Sequence, residues 1–212
     1  YDAVATAPGI GRWRVRAAER VAREGDTVVE MGCGTGVNLP YLRQRVGPDG
    51  RVIGVDITGP LLERARERAG HDNVTIVQGD ATRPPIEAAD AVLATFVCGL
   101  FEEPAAAVDQ WCALVRPGGR VGLLDATASD DSFGRPLNPL FRAFVAAGAP
   151  DLDLTDALLA PFDRPDASLS RRVEAARRTL VDRTIDRSLE TFGLGFVGLS
   201  TGRVADGETR ER

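Results

Sequence analysis

The chain has 212 residues, 43% of them apolar and 27% charged, proportions that are typical of one soluble globular domain. Its longest nearly uncharged apolar stretch, residues 91–101, is shorter than the roughly 18 residues of a membrane span, and we expect no secretory leader. All 26 basic residues are arginine, the net charge is −5, and no basic stripe alternates with aromatic residues, which argues against nucleic acid as a partner.

Short apolar runs alternate with helical patterns through the first 125 residues, an order that is typical of a parallel α/β sheet. The predicted helices are 11–24, 38–46, 59–69 and 104–115. The predicted strands are 27–31, 51–56, 74–78, 90–95 and 120–125. Together they form the two halves of a doubly wound sheet.

The pattern changes after residue 125. Residues 126–165 contain five prolines and one short amphipathic helix, predicted at 137–147. A further helix is predicted at 170–180. Strand-like runs at 181–189 and 192–200 leave no room for a crossover helix between them, so they must be antiparallel.

We therefore predict a single α/β domain, 1–212, with a doubly wound, mostly parallel seven-stranded sheet, helices on both faces and a C-terminal antiparallel hairpin. Residues 1–125 are predicted to form a ligand-binding core and 181–202 the hairpin. Residues 126–180 are predicted to form a lid or substrate insertion, although the apolar helix within them could instead pack on the sheet.

The cysteines give an expectation about metals and cellular compartment. Cys33, Cys98 and Cys112 are odd in number, far apart and without the short paired spacing of a zinc site. We therefore predict no metal site, and reduced thiols in a cytoplasmic protein.

The most informative segment is the glycine-rich turn after the first predicted strand, Glu30 to Gly36, with glycines at alternate positions. Such glycines allow a sharp turn and close approach to a ligand, and the helix that follows presents free amide groups to an anion. Asp56 closes the next strand twenty residues after Gly36, a spacing that suits a carboxylate bound to ribose hydroxyls. The alternatives are a plain strand–helix turn and a solvated acid.

These residues resemble class I S-adenosylmethionine-dependent methyltransferases, which have a Rossmann-like fold. Residues 30–36 resemble the family's acid-x-Gly-x-Gly-x-Gly motif, Asp56 its ribose-binding acid, Gly79-Asp80-Ala81 its adenine motif, and 114–119 its Leu-x-Pro-Gly-Gly turn. Val37 stands where a nicotinamide-binding fingerprint needs its third glycine, which argues against an oxidoreductase.

The resemblance implies S-adenosylmethionine as the cofactor and a role for each matching residue. Glu30 would accept from the cofactor's ammonium group or from backbone amides, and Asp56 from the ribose hydroxyls. The other implied contacts are main-chain groups of Gly32, Cys33 and Gly34 at the aminoacyl part, Ile57 on one adenine face, Asp80 and Ala81 at the adenine edge, and Thr95 and Phe96 near the transferred methyl. For Phe96, plain core packing remains the alternative.

Within that family, the chain looks most like the ubiquinone/menaquinone biosynthesis C-methyltransferases and phospholipid N-methyltransferases. The similar stretches are 34–40, 137–140 and the N-terminal Tyr1-Asp2. The resemblance implies a small or lipid-like acceptor of the quinol, phenol or phospholipid type. Separately, the basic cluster of Arg171, Arg172, Arg177 and Arg178 predicts either a solvated helix face or attraction to an acidic substrate or membrane surface.

Methyl transfer mainly requires alignment of the reactants, so a catalytic base is optional. The candidates are Asp125 at the end of the fifth strand, Asp130 and Asp131 just beyond it, and Tyr1, which could close over the cofactor. The alternative for the three aspartates is that they are solvated loop acids. The only histidine, His71, precedes the third strand and so lies at the wrong edge for catalysis.

Two other functions stay open at this point. A non-catalytic S-adenosylmethionine-binding protein would keep the same loop and acids. A nicotinamide-dependent oxidoreductase has a related sheet, although Val37 and Asp80 argue against it.

Overall fold

The computed structural model describes residues 8–141 and 165–205, and its centre is a sheet in the order β3-β2-β1-β4-β5-β7-β6. The first five strands pair in parallel, whereas β7 is antiparallel to both β5 and β6. The seven strands are β1 Thr27–Met31, β2 Arg51–Asp56, β3 Val74–Gln78, β4 Ala89–Thr95, β5 Val115–Ala126, β6 Thr184–Phe192 and β7 Val197–Val204.

Helices cover both faces of this sheet, which confirms the predicted doubly wound, mostly parallel architecture with a C-terminal antiparallel hairpin. The α-helices are α1 Pro8–Val21, α2 Leu39–Val46, α3 Gly59–Ala69, α4 Pro104–Leu114 and α5 Pro165–Arg183, and Cys98–Leu100 and Arg135–Leu137 form 3₁₀ turns. One face packs against α1, α2 and α3, and the other packs against α4 and α5.

Two apolar clusters explain why the central strands read as continuous apolar runs. Val28 belongs to the cluster under α1 to α3, and its neighbour Val29 to the cluster under α4 and α5. Because successive strand residues point to opposite faces, a strand covered on both sides needs apolar side chains throughout. Trp111 of α4 is fully buried and donates through Nε1 to the Ala81 carbonyl at 2.7 Å.

The order of the strands decides where a ligand can bind. The chain winds outward from β1 through β2 to β3, then returns to the other side of β1 with β4 and β5. The loops that leave the carboxyl ends of β1 and β4 therefore separate in opposite directions, and doubly wound sheets bind ligands in the crevice at such a point.

Several element boundaries differ from the sequence prediction, including those of α5, which is Pro165–Arg183 in place of 170–180. Helix α1 is Pro8–Val21 in place of 11–24. The hairpin strands begin three to five residues later than predicted, because α5 continues to Arg183 and the turn is formed by Gly193, Leu194 and Gly195, all at positive φ. Strand β5 starts at Val115 and not at residue 120, with a bulge at the Pro117-Gly118-Gly119 segment.

Part of the helix predicted at 137–147 lies outside the described residues. In the part that the structure describes, residues 138–141 are helical. The division into core, lid and hairpin stays a prediction. Among residues 8–141 and 165–205, no helix has the length and apolar character needed to cross a membrane.

Candidate functional site

The loop after β1 makes the sharp turn that its glycines predict. Gly32, Gly34 and Gly36 have φ values of 67°, 54° and 75°, in the left-handed region that favours glycine. A Cβ atom on Gly32 would lie 2.6 Å from Val97 Cγ2. A Cβ on Gly34 would meet no atom within 4 Å, so the backbone here borders open space.

Asp56, the last residue of β2, is bonded directly to this loop. Its Oδ2 accepts from the Gly34 amide at 2.8 Å, and its Oδ1 accepts from the Thr58 amide at 2.8 Å. The carboxylate is half-buried. Since each carboxylate oxygen can accept a second hydrogen bond, Asp56 retains acceptor capacity towards the crevice.

A buried polar cluster lies beside the loop and consists of Arg14, Glu30, Asn38 and Thr95. Arg14 Nη1 donates to Asn38 Oδ1 at 2.7 Å. Asn38 Nδ2 donates to Thr95 Oγ1 at 2.8 Å and to Glu30 Oε1. The cluster joins α1, β1, the start of α2 and the end of β4.

Glu30 is the acid of this cluster, and its second oxygen is unused. Glu30 is 1% exposed, and its Oε2 has no hydrogen-bond partner among the described residues. Burial raises the pKa of Glu30 to about 7, against the lowering effect of the Asn38 hydrogen bond and of the Arg14 charge. A buried carboxylate oxygen without a partner can accept from a cationic donor.

Asp80 and Ala81 follow the end of β3, and Ile57 follows the end of β2. Asp80 is exposed, and its Oδ1 accepts from both the amide and the hydroxyl of Thr82 at 2.8 Å. These hydrogen bonds lower the pKa of Asp80 below its usual value. Ala81 is buried, whereas the side chain of Ile57 is 67% exposed beside the crevice.

Thr95 and Phe96 close β4, on the other side of β1. Phe96 has a φ of 56°, which a non-glycine residue rarely adopts, and its amide donates to the Leu124 carbonyl at 2.7 Å. The Arg14 guanidinium lies 5.4 Å from the centre of the Phe96 ring. Backbone strain of this kind is concentrated at functional sites in proteins.

The structure brings most of the predicted cofactor residues to one edge of the sheet. Gly34 is hydrogen-bonded to Asp56, and Asn38 donates to both Glu30 and Thr95. Cys33 is buried, and burial raises the pKa of its thiol well above the ordinary value, so this side chain does not act as a thiolate.

Of the predicted catalytic candidates Asp125, Asp130 and Tyr1, the structure describes the two aspartates. Asp125 is 1% exposed and points to the face covered by α5, opposite to its neighbour Leu124. Burial raises the pKa of Asp125 to about 6, against the charge of Arg177 and a hydrogen bond with Cys98. Asp130 is exposed, and Tyr1 lies outside the described residues.

Two further candidates of the sequence analysis are in ordinary surroundings. Asp131 is exposed, and its Oδ1 accepts from the Phe133 amide at 2.8 Å in a local turn. His71 is exposed before β3, at the amino edge of the sheet, as the sequence predicts. Within the described part of the chain, no three His, Cys, Asp or Glu side chains gather to hold a metal ion.

The sequence analysis missed Arg14 and Asn38, both buried in the polar cluster. It treated Asn38 as the start of a helix and as part of the 34–40 stretch, without a role for its side chain. A signal for Arg14 was present, because it stands three and four residues before Ala17 and Ala18, on the apolar stripe of α1. A charged residue on a buried stripe requires partners, and Asn38 is one of them.

We expect Asp125→Asn to make the stability of the protein less dependent on pH. Between the ordinary pKa of 3.8 and the folded value of about 6, the folded protein keeps a proton that the unfolded chain has lost. The free energy of unfolding therefore falls as pH rises through this window, by roughly 2–3 kcal/mol for this group. Asparagine resembles the protonated acid and does not titrate. The free energy of unfolding of the variant, relative to that of the wild type, should therefore increase with rising pH.

Denaturant unfolding of wild type and Asp125→Asn at several pH values from 4 to 7 measures this effect. Asp130→Asn, at an exposed position, is the matched control and should run parallel to the wild type. A constant difference between wild type and Asp125→Asn across the range would contradict the prediction.

Comparisons with known proteins show which sequence family and which solved fold this chain resembles. A sequence model of the methyltransferase domain matches residues 28–119. The arsenite methyltransferase of Halobacterium salinarum is 33% identical over 144 residues, 64% of this chain and 36% of that protein. The demethylmenaquinone methyltransferase of Staphylococcus aureus is 31% identical over 138 residues, 63% of this chain and 54% of that protein.

A solved structure has the same fold. The SAM-dependent methyltransferase from Aquifex aeolicus aligns over 93% of this chain and 90% of its own, with a TM-score of 0.57 and 16% identity. Residues 28–119 thus resemble a methyltransferase domain, and the chain has the Rossmann-like fold of the Aquifex aeolicus structure. It spans between a third and about half of the two curated relatives named above.

Proposed function

We propose that this protein transfers the methyl group of S-adenosylmethionine to a small or lipid-like acceptor of the quinol, phenol or phospholipid type. The observation that carries the proposal is that the first glycine loop, the buried Glu30 and Asp56 lie together at the carboxyl ends of the parallel strands. The same edge of the sheet carries exposed apolar side chains. We place the protein in the cytoplasm, a proposal that its three buried free thiols support.

The residues of the crevice fit the proposed cofactor group by group. The unpartnered Oε2 of Glu30 suits an ammonium group, and the open space beside Gly34 admits an aminoacyl chain close to the backbone. Asp56 has acceptor capacity for ribose hydroxyls, and Asp80 with Ile57 provides one polar and one apolar surface for the adenine ring.

The remaining proposed cofactor contacts are the main-chain groups of Gly32, Cys33 and Ala81 and the side chains of Thr95 and Phe96. When bound, S-adenosylmethionine supplies an activated methyl on a sulfonium, which a nucleophile can displace in line. The acceptor would gain the methyl and release its proton to solvent, and S-adenosylhomocysteine would be the leaving product. The protein then has to align the reactants and exclude water, effects worth up to about 7–11 kcal/mol in favourable cases.

The apolar character of the carboxyl edge supports a lipid-like acceptor. Phe133 is 78% exposed and Leu100 74% exposed, and both follow the ends of strands at this edge. Leu194, 53% exposed, lies in the β6–β7 turn at the same edge, since its carbonyl accepts from Ser129 Oγ at 2.6 Å. Exposed large apolar side chains that cluster at one place are typical of binding surfaces.

The resemblance to quinone-type methyltransferases adds to this proposal. The demethylmenaquinone methyltransferase of Staphylococcus aureus is named for an apolar acceptor, and it aligns with 63% of this chain. The arsenite methyltransferase of Halobacterium salinarum, with a similar identity, is named for an inorganic one. An acceptor panel therefore has to include arsenite beside quinols, phenols and phospholipids.

Release of S-adenosylhomocysteine over that panel tests the proposed activity directly. We expect turnover with at least one apolar acceptor, and a thermal shift with S-adenosylmethionine but none with nicotinamide cofactors. Cofactor binding without turnover on any acceptor would favour the alternative, a non-catalytic S-adenosylmethionine-binding protein. The absence of cofactor binding would refute both.

We expect Leu194→Asp to raise the KM for an apolar acceptor about tenfold while leaving cofactor affinity unchanged. Burial of a leucine side chain is worth roughly 1.5–3 kcal/mol, and a charge at this position would oppose an apolar ligand. Leu189→Asp is the matched control, because Leu189 is also an exposed leucine, 62%, but lies within β6. Equal KM values for the two variants would argue against an acceptor site at this edge.

A further inference from the structure

The side-chain amide of Asn38 connects three elements at the cofactor crevice, and none of the roles proposed above uses it. Asn38 is 1% exposed and just precedes α2. Its oxygen accepts from Arg14, while its nitrogen donates to Thr95 and Glu30. Both hydrogens and the oxygen of the amide are therefore satisfied.

The chemistry of its neighbours leaves this amide one orientation. A guanidinium group only donates, so the amide oxygen must face Arg14. The amide nitrogen then faces Glu30, whose ionised carboxylate only accepts. Asn38 thus holds Oε1 of Glu30 in place, and the other oxygen, Oε2, remains buried and without a hydrogen-bond partner among the described residues.

We propose that Asn38 is a positioning residue that, with its amide oriented by Arg14, directs Oε2 of Glu30 towards the ammonium group of the cofactor. This inference rests on the proposed function, because it concerns the same crevice. It predicts that Asn38 matters for ligands that carry the aminoacyl part and not for ligands that lack it.

The charges around Glu30 give the inference a signature in pH. Arg14 and the Asn38 hydrogen bond favour the ionised carboxylate, whereas burial and the charge of Asp56 favour the protonated form. The buried thiol of Cys33 is also close, and the charge of Glu30 acts on it. Loss of the Asn38 donor removes one of the two contributions that favour the ionised carboxylate, so the pKa of Glu30 should rise further.

The experiment compares two ligands by isothermal titration calorimetry on the full chain. S-adenosylhomocysteine carries the aminoacyl group, and 5′-methylthioadenosine has the same nucleoside and a thioether without it. For Asn38→Asp at pH 7, we expect the affinity for S-adenosylhomocysteine to fall at least tenfold, about 1.4 kcal/mol, and that for 5′-methylthioadenosine to stay within twofold. The pH at which S-adenosylhomocysteine binding is half-maximal should also move upward from the wild-type value.

The exchange variant Glu30→Gln/Asn38→Asp separates positioning from folding. It keeps one acid and one amide in hydrogen-bond contact, so we expect it to recover thermal stability that Asn38→Asp loses. The affinity for S-adenosylhomocysteine should remain low, because the carboxylate is now at the wrong position.

Three outcomes would overturn the inference: equal losses for both ligands, an unchanged affinity in Asn38→Asp, or full recovery of affinity in the exchange variant. Failure of the wild type to bind either ligand is a different result. It would refute the proposed function itself, together with everything that rests on it.

Discussion

Asp56→Ala is expected to remove most of the binding of S-adenosylmethionine. The carboxylate accepts from the amides of Gly34 and Thr58, so its loss both disorders the first loop and deletes the proposed ribose contact. Hydrogen bonds to a charged group contribute roughly 1.5–3 kcal/mol each, so the affinity should fall about a hundredfold or more.

Thermal shift measures this effect without an acceptor. At a ligand concentration of 100 times the wild-type Kd, the wild type should gain roughly 2.7 kcal/mol of stability, which is about 5–10 °C for a chain of this length. A hundredfold weaker variant should gain only about 0.4 kcal/mol, or about 1 °C.

Asp72→Ala is the matched control, because Asp72 is an exposed acid at the opposite edge of the sheet, just before β3. Its ligand-induced shift should equal that of the wild type. A full shift in Asp56→Ala would remove Asp56 from the cofactor site.

Gly36→Ala is expected to destabilise the protein strongly. Gly36 has a φ of 75°, and a Cβ there would lie 2.7 Å from Leu39 Cδ1 and 3.1 Å from the Ala65 backbone, where α2 and α3 meet. Left-handed strain costs about 1–2 kcal/mol, and overpacking about 1–3 kcal/mol. Together they should lower the Tm by about 5–15 °C.

Gly34→Ala separates backbone strain from packing. Gly34 has a φ of 54°, but a Cβ there would meet no atom within 4 Å. The variant should lose about 1–2 kcal/mol of stability from strain alone. Because the added methyl would occupy space proposed for the cofactor, it should also lower cofactor affinity. Equal Tm losses for the two variants would contradict the packing argument.

Much of the fold could be predicted because its signals are local. Strands β1, β2 and β3 have the predicted bounds, since each is a short apolar run between a helix pattern and a turn. The first hairpin strand was predicted to begin too early, because Val181 is as compatible with a strand as with the end of α5. The helix continues there because Ala176 and Leu180 pack on the sheet, a contact that no local pattern reveals.

The candidate site divides in the same way. Glu30 and Asp56 follow from their places at strand ends, where the topology brings consecutive loops together. Their roles at the cofactor stay predictions until they are measured. Asp125 was proposed on the same reasoning, but alternation along β5 turns its side chain towards α5 and away from the face that carries Glu30.

By itself, the sequence determined the two halves of the sheet, the glycine turn and the acids that border the crevice. It could do so because turns, strand ends and apolar periodicity depend on neighbours along the chain. Only the tertiary structure decided that Arg14, Asn38, Thr95 and Glu30 form one cluster. Hydrogen bonds between distant elements depend on how helices pack on the sheet, and a buried polar side chain accepts whatever partner that packing brings to it.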